Sequence, residues 1–336
     1  MALPFLREGL PAAYPFSVSQ HPHRAKLDQN EAPVDLPMEL KRELAEELAA
    51  RPWNRYIQPA EYASAKRGLA RSFRVEPEEL AITVGADQAI EAAFLIAGGP
   101  GRSARWFEPT YPFFAHAAMR SFTTAATSVD EADLVAFASP NNPTGELVED
   151  ERVQAALAEP SRLVIMDEAY ADYAKTTWIG RHTDHTNLFI IRSLSKSSLA
   201  AVHLGFIVAH PDVISIVERM YTAPYQLNHI QLLLARRYDR LRLHVAQAAA
   251  EVIDERERIT RALQQIPCIT PRPSHANFIL FKVGPGPGTA SELYKKLTRA
   301  GVRIRDVSGL KGLGGYLRVT VGTPEENELF LRVVAD

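Results

Sequence analysis

A single cysteine, Cys268, serves a chain of 336 residues, so no intrachain disulfide can brace the fold, and the reducing cytoplasm is the expected setting. No apolar run approaches the ~18 residues of a membrane span. The opening MALPFLREGLPAAYPF breaks up its apolar residues with prolines and charges, unlike a secretory leader. Neither sign of charge dominates: 38 Lys and Arg stand against 40 Asp and Glu, for a net of −2. That balance argues against electrostatic capture of nucleic acid. The basic stretch YDRLRLH (238–244) reads as a solvated or interface face of a helix. Repeats and low-complexity segments are also missing. HPH (21–23) and HTDH (182–185) lie in irregular polar segments without a third converging ligand, so they read as surface histidines and no metal site is expected.

What the chain does have is apolar content, 46% of its residues, enough for a large core and a smaller second one. Short runs that are apolar on consecutive positions recur from about residue 80: LAITVG (80–85), SARWFEP (103–109), ADLVAFASP (132–140), SRLVIMDEA (161–169), LFIIRSL (188–194) and LGFIVAH (204–210). Such runs mark strands covered on both faces, which favours a mainly parallel sheet wrapped by helices. A proline-rich start leads into an amphipathic helix at 37–51, and a mostly helical stretch runs from 211 to about 266. The tail reads strand (277–283), helix (290–301), a pair of strands (VRIRD, 302–306, and YLRVTVG, 316–322) and a last helix (323–334). The turn GPGPG (284–288) is punctuation, because its prolines lack the free N–H groups of a phosphate loop. The expected class is α/β, with a smaller α+β domain. Residues 1–45 form an arm packed on the small domain or a partner subunit, 46–225 the large domain, and 226–336 a connecting helix and the small domain.

Ligands of parallel sheets bind beyond the carboxyl ends of the strands, and four strand ends here carry unusual residues. LAITVG ends in Gly85-Ala86-Asp87, a strand–glycine–helix junction that aims free N–H groups outward and suits a phosphate. VAFASP is followed by Asn142 within NNPTG, which alone would read as a turn. RLVIM runs into Asp167, with Tyr170 three residues on, and a buried carboxylate needs a cation or several donors. LFIIRSL leads to Lys196 behind Ser193 and Ser195. One ligand uses all four: pyridoxal 5′-phosphate. A lysine amine kept from water can condense with its aldehyde, an aspartate keeps its ring nitrogen protonated, phenol and amide bond its ring oxygen, and serines with a helix start hold its phosphate.

SPNNPTG, MDEAYADY and SLSK, in this order and at these separations, resemble fold-type I pyridoxal-phosphate aminotransferases, and most of all the histidinol-phosphate aminotransferase group. KLDQNEAP (26–33), NRYIQP (54–59), GADQAIEAAF (85–94), EPTYPFF (108–114) and the GVRIRD/YLRVTVGT pair extend the resemblance over nearly the whole chain. It implies a fold-type I transferase with a seven-stranded large-domain sheet and a homodimer with shared active sites. By the same resemblance Lys196 is the covalent anchor and proton carrier, Asp167 the partner of the ring nitrogen, and Tyr170 and Asn142 the partners of the ring oxygen. Tyr111 would stack on the ring, and Gly85, Ala86, Asp87, Ser193 and Ser195 would hold the phosphate. Tyr56 would reach the phosphate in the neighbouring subunit. Arg318 would grip the substrate's anion, with Arg305, Asn142 and Tyr14 also on the substrate side.

One position departs from that pattern. The loop after Lys196 is one residue short, and His203 stands where the group has a phosphate-binding arginine. Either His203, helped by Arg192, replaces the arginine and cofactor retention weakens as pH rises, or His203 faces the core. The reaction implied is transamination between an amine and a 2-oxo acid, histidinol phosphate and 2-oxoglutarate first. Aromatic aminotransferases and threonine-phosphate decarboxylases resemble the chain too. A binding or regulatory module that has merely kept the fold is disfavoured by the presence of both Lys196 and Asp167.

Overall fold

The structure, a computed structural model, describes residues 22–221, 223–284 and 288–336. Tyr14, His21 and the middle three residues of GPGPG lie outside the described residues. The large sheet holds seven strands: β2 (Leu80–Val84), β3 (Ser103–Trp106), β4 (Thr124–Ala125), β5 (Leu134–Ala138), β6 (Leu163–Asp167), β7 (Leu188–Ser193) and β8 (Leu204–Val208). Their spatial order is β2-β8-β7-β6-β5-β3-β4, and β8 alone runs antiparallel to its neighbours. The apolar runs are strands because both faces are covered. Along β7, Leu188 and Ile190 face one core, while Phe189 and Ile191 face the other.

Small residues let the helices come close. Helix α3 (Gly85–Ala97) turns its buried Ala89, Ala92 and Ala93 into the core it shares with the sheet and with α4 (Phe113–Ser121). It starts directly at the end of β2, which requires φ +73° at Gly85, a conformation that glycine accepts without strain. The opposite face is covered by α2 (Pro59–Phe73), α5 (Asp150–Leu157), α7 (His229–Arg236) and the first part of α8 (Tyr238–Gln264), while α6 (Pro211–Met220) closes the α3 side. Helix α1 (Met38–Ala49) lies on this assembly through Leu40 and Leu44, with Glu43 and Glu47 paired to Arg240 and Arg237.

The small unit is a four-stranded antiparallel sheet, β12 (Arg305–Asp306), β13 (Tyr316–Thr320), β10 (Phe278–Val283) and β9 (Ile269–Pro271), packed under α9 (Ala290–Arg299) and α10 (Pro324–Ala335). Its core also takes in Val252, Ile259 and Leu263 of α8, and Tyr170 and Tyr173 from beyond β6. VRIRD is not one strand. Its first half, β11 (Val302–Arg303), pairs in parallel with β1 (Ala25–Lys26), and its second half is β12, which pairs with β13. The break falls at Ile304, 3% exposed, whose side chain enters the small core. From β1 the chain continues as a strap: Leu27 accepts from Thr320 N at 2.9 Å, and residues 28–30 run on over the sheet.

One histidine expectation changes. His182 is not a surface residue. It is 3% exposed, its Nδ1 accepts from Gly180 N at 3.3 Å, and its Nε2 lies 3.4 Å from Glu79, because a 3-10 turn (Arg181–Thr183) tucks it inward. Among the described residues no cluster of ligands could hold a metal, and no helix is long and apolar enough to cross a membrane.

The contact of β8 with the α3 turn gives a test. A Cβ on Gly205 would lie 2.6 Å from the Gly85 carbon, 2.8 Å from its oxygen and 3.0 Å from the Arg192 oxygen, all of them backbone. Gly205→Ala is expected to cost about 1–3 kcal/mol of stability, read as a lower thermal midpoint. Gly314→Ala, where nothing stands within 4 Å, should leave the midpoint unchanged.

Candidate active site

The carboxyl ends of β5, β6 and β7, the start of α3, the strap and the edge of the small sheet surround one cavity of about 530 Å³. All the site residues expected from the sequence border it except Tyr56, Arg192 and the undescribed Tyr14. The four strand ends thus converge, as the rule for parallel sheets requires.

Asp167, the last residue of β6, is 5% exposed. Its Oδ1 accepts from Ala169 N at 3.0 Å, and among the described residues no Lys, Arg or His forms an ion pair with it. Burial pushes its pKa up from 3.8 to about 7, helped by the nearby charges of Asp87 and Glu168 and opposed by the Ala169 hydrogen bond and Lys196. Asp87 is also raised, by burial first, while the hydroxyl of Tyr111 donates to its Oδ1 at 3.0 Å. Burial, with the Asp87 charge, raises the Tyr111 phenol well above its ordinary range, so the phenol stays protonated and keeps donating.

Lys196 is half-buried, and its Nζ donates to the Gln29 carbonyl of the strap at 3.1 Å. Its backbone is pinned from below, where the Tyr173 hydroxyl donates to the Lys196 carbonyl at 2.5 Å. Ser193 Oγ accepts from Ser195 N at 3.3 Å, which shapes the turn ahead of the lysine. Asn141 braces the neighbouring loop, accepting from Thr110 Oγ1 at 2.7 Å and donating to the Pro109 carbonyl at 2.9 Å, and so sets Asn142 at the cavity.

Arg318 reaches the cavity from β13. It is 7% exposed; it donates to Asn142 Oδ1 and, at 2.9 Å, to the Asp28 carbonyl, and its Nε has no partner. Its partners are neutral oxygens rather than a carboxylate. Burial, with Arg305 nearby, lowers its pKa to about 10. A guanidinium held this way calls for an anion from the cavity. Arg305, on the adjacent β12, borders the same end.

His203 and Arg192 separate. His203 sits in a left-handed turn, φ 52°, exposed and bordering the cavity, with its Nδ1 3.7 Å from where a Cβ on Gly85 would lie. It does not face the core. Arg192 does not help it: this side chain lies on the other face of β7, paired to Asp172 at 2.5 Å, 3.6 Å from Glu168 and stacked on Phe73 at 5.2 Å. The alternation along β7, which puts Arg192 with Leu188 and Ile190 and Ser193 with Phe189 and Ile191, is the signal that separates them. Tyr56 is 79% exposed and set edge-on to Tyr225 at 5.7 Å, away from its own chain's cavity. Asp28, Gln29 and Asn30 of the strap border the cavity too, although KLDQNEAP shows no periodicity that would single them out.

These residues fit pyridoxal phosphate. A buried carboxylate without an ion partner suits a protonated ring nitrogen, and a left-handed glycine opening a helix beside two serines suits a phosphate. The chain belongs to the aminotransferase class I and II family, whose model matches residues 22–334, and it is a pyridoxal-phosphate-dependent transaminase of fold type I. Within that class it is similar to histidinol-phosphate aminotransferase 2 of Nitrosococcus oceani, 33% identical over 92% of this chain and 90% of the relative. It is likewise similar to histidinol-phosphate aminotransferase 1 of Carboxydothermus hydrogenoformans, 31% identical over 99% and 98%. Its fold matches the crystal structure of histidinol-phosphate aminotransferase from Sinorhizobium meliloti in complex with pyridoxal-5′-phosphate, with TM-score 0.82 and 21% identity, covering 93% of this chain and 90% of that one. The fold of L-threonine-O-3-phosphate decarboxylase from Porphyromonas gingivalis is also shared, with TM-score 0.78 and 22% identity over 92% and 98%.

The pKa of Asp167 sets a pH dependence in the cofactor-free protein. Folding favours its protonated form, so below about pH 4 the group costs nothing. The cost grows as pH rises to about 7 and is constant above, to at most roughly 4 kcal/mol. Cofactor-free Asp167→Asn is therefore expected to melt above the cofactor-free wild type at pH 8, with the difference shrinking steadily toward pH 4. Thermal melts of both proteins over that range check it.

Proposed function

We propose that the cavity moves the amino group of histidinol phosphate to 2-oxoglutarate, giving imidazole acetol phosphate and glutamate, a step of histidine biosynthesis. The observation that carries this reading is Arg318, a buried guanidinium without a carboxylate partner, with Arg305 beside it on the small sheet. Both substrates carry an anion, so one arginine can serve both halves of the cycle. The relatives at 31–33% identity over nearly their full length support the choice of donor.

Bound pyridoxal phosphate supplies an electron sink that lets a bond at the amine-bearing carbon ionise. The chain's own residues do the rest. Lys196 Nζ anchors the cofactor, takes the proton from the substrate carbon and returns it. Asp167 keeps the ring nitrogen protonated, and Tyr111 covers the ring. The Tyr170 and Asn142 side chains hold the ring oxygen. Gly85, Ala86, Asp87, Ser193 and Ser195 take the phosphate, with His203 beside the same turn. The exposed aromatics Trp53, Tyr56 and Tyr225, at 73%, 79% and 59%, support a homodimer in which Tyr56 completes the partner's site.

Turnover with a panel of amines and 2-oxo acids tests the reading. Histidinol phosphate should give the highest kcat/KM and a carbonyl product; release of carbon dioxide from threonine phosphate instead would overturn it. Arg318→Leu should cost about 2–5 kcal/mol of transition-state binding for both substrates, at least ~30-fold in each kcat/KM. Lys196→Ala should lose ~10²-fold or more in kcat through its proton transfer alone.

A further inference from the structure

Asn30 lies within KLDQNEAP, to which the resemblance gives no role, yet it governs a phenol in the cavity. It is 1% exposed, with a left-handed backbone at φ 56°, which asparagine tolerates better than most residues. All its polar groups are engaged. Its N–H donates to Thr320 Oγ1 at 3.0 Å, and Thr320 Oγ1 donates back to Asn30 Oδ1 at 3.1 Å. Its carbonyl accepts from Asn277 Nδ2 at 3.0 Å. What remains, Nδ2, donates to the Tyr170 hydroxyl oxygen at 2.9 Å. Turning the amide over is disfavoured, because Thr320 is 2% exposed and its hydroxyl hydrogen would then face an NH₂ group.

A phenol has one hydrogen to give. Tyr170 is 5% exposed, and its ring is fixed edge-on to Phe278 at 5.2 Å and 86°. With Asn30 donating from the strap side, the Tyr170 hydrogen cannot point back there and is left for the cavity that the residue borders. We propose that Asn30 is a positioning residue for transamination: it holds the Tyr170 hydroxyl as a donor toward the ring oxygen of pyridoxal phosphate. This rests on the assignment of that cofactor to the cavity. The charged and titratable groups that border the cavity with this hydroxyl are Asp28, Asp87, Tyr111, Asp167, Lys196, His203, Arg305, Asp306 and Arg318, and the double variant separates their influence from the hydrogen bond itself.

A hydrogen bond donated to the ring oxygen favours its ionised form. Losing it moves the proton-linked change in the cofactor's visible absorbance to higher pH. The experiment titrates that absorbance in the holoenzyme of the wild type, Asn30→Asp, Tyr170→Phe and the double variant. A carboxylate can only accept, so Asn30→Asp turns the bond round and draws the phenol hydrogen out of the cavity. Asn30→Asp and Tyr170→Phe are each expected to raise the midpoint by about one pH unit, and the double variant should stand where Tyr170→Phe stands.

A midpoint unmoved by Asn30→Asp overturns the proposal. So does a shift that persists in full in the Tyr170→Phe background, which marks a bare charge effect. Thr320→Val removes the hydroxyl that orients the Asn30 amide without adding charge; it should raise the midpoint in the wild-type background alone, and it decides the matter if Asn30→Asp does not fold. If the wild type itself shows no visible band with pyridoxal phosphate, the cofactor assignment falls, and the role of Asn30 with it.

Discussion

A carboxylate sealed at the end of a strand, with no cation among the described residues paired to it, is the constraint around which this protein is arranged. Asp167 ends the middle strand of a sheet whose two faces are both covered, so water cannot neutralise the cost of its charge. In the proposed assignment the protonated ring nitrogen of the cofactor relieves that cost. The same sheet puts the Gly85 turn at the end of β2 and the Lys196 amine after β7, each on the side where the parallel strands finish. Polarity is therefore concentrated at one rim, and the rest of the large unit is free to be apolar.

The second arrangement is the strap from β1 to Asn30, which ties the small sheet to the chemistry. Gln29 accepts from Lys196, Asp28 accepts from Arg318, and Asn30 donates to Tyr170. Three consecutive irregular residues thus touch Lys196, Arg318 and Tyr170. Beneath the cavity Arg192, Asp172 and Ser197 form a buried ionic knot that stiffens the loop carrying Lys196, while Tyr173 holds that residue's carbonyl. Each group that meets a ligand is thereby fixed from behind by a group that does not.

Much of this was legible in the residues. Strands buried on both faces announce themselves by consecutive apolar positions, and a charge or amide just past such a run has few reasons to be there other than chemistry. Asp167 and Lys196 were singled out that way, Asn142 and the Gly85 turn only through their company, and all four border one cavity. Arg192 was misread because the run LFIIRSL hides its alternation: every position is buried, so only the two faces taken separately show that Arg192 turns away from Ser193. His182 was misread because a single short turn, not a pattern, decides its burial. VRIRD looked like one strand because both halves are extended, and their different partners lie far away in the chain. Asn30 sits in the quoted KLDQNEAP, but nothing in that string told what its side chain does. Its importance comes from contacts with Thr320, Asn277 and Tyr170, none of them near it in sequence.

The strap has one more consequence, for the order in which the protein is made. Asn30 and Thr320 are 290 residues apart, and Lys26 meets Glu326 across 300. At ribosomal speed that interval is roughly 15 to 60 seconds. The seven-stranded sheet is complete by residue 208 and can form during synthesis, whereas β1 and the strap need β11 and β13, from residue 302 onward. Residues 24–30 therefore wait for partners at 301–326 before the strap can dock. The cavity closes only once those later residues have been made.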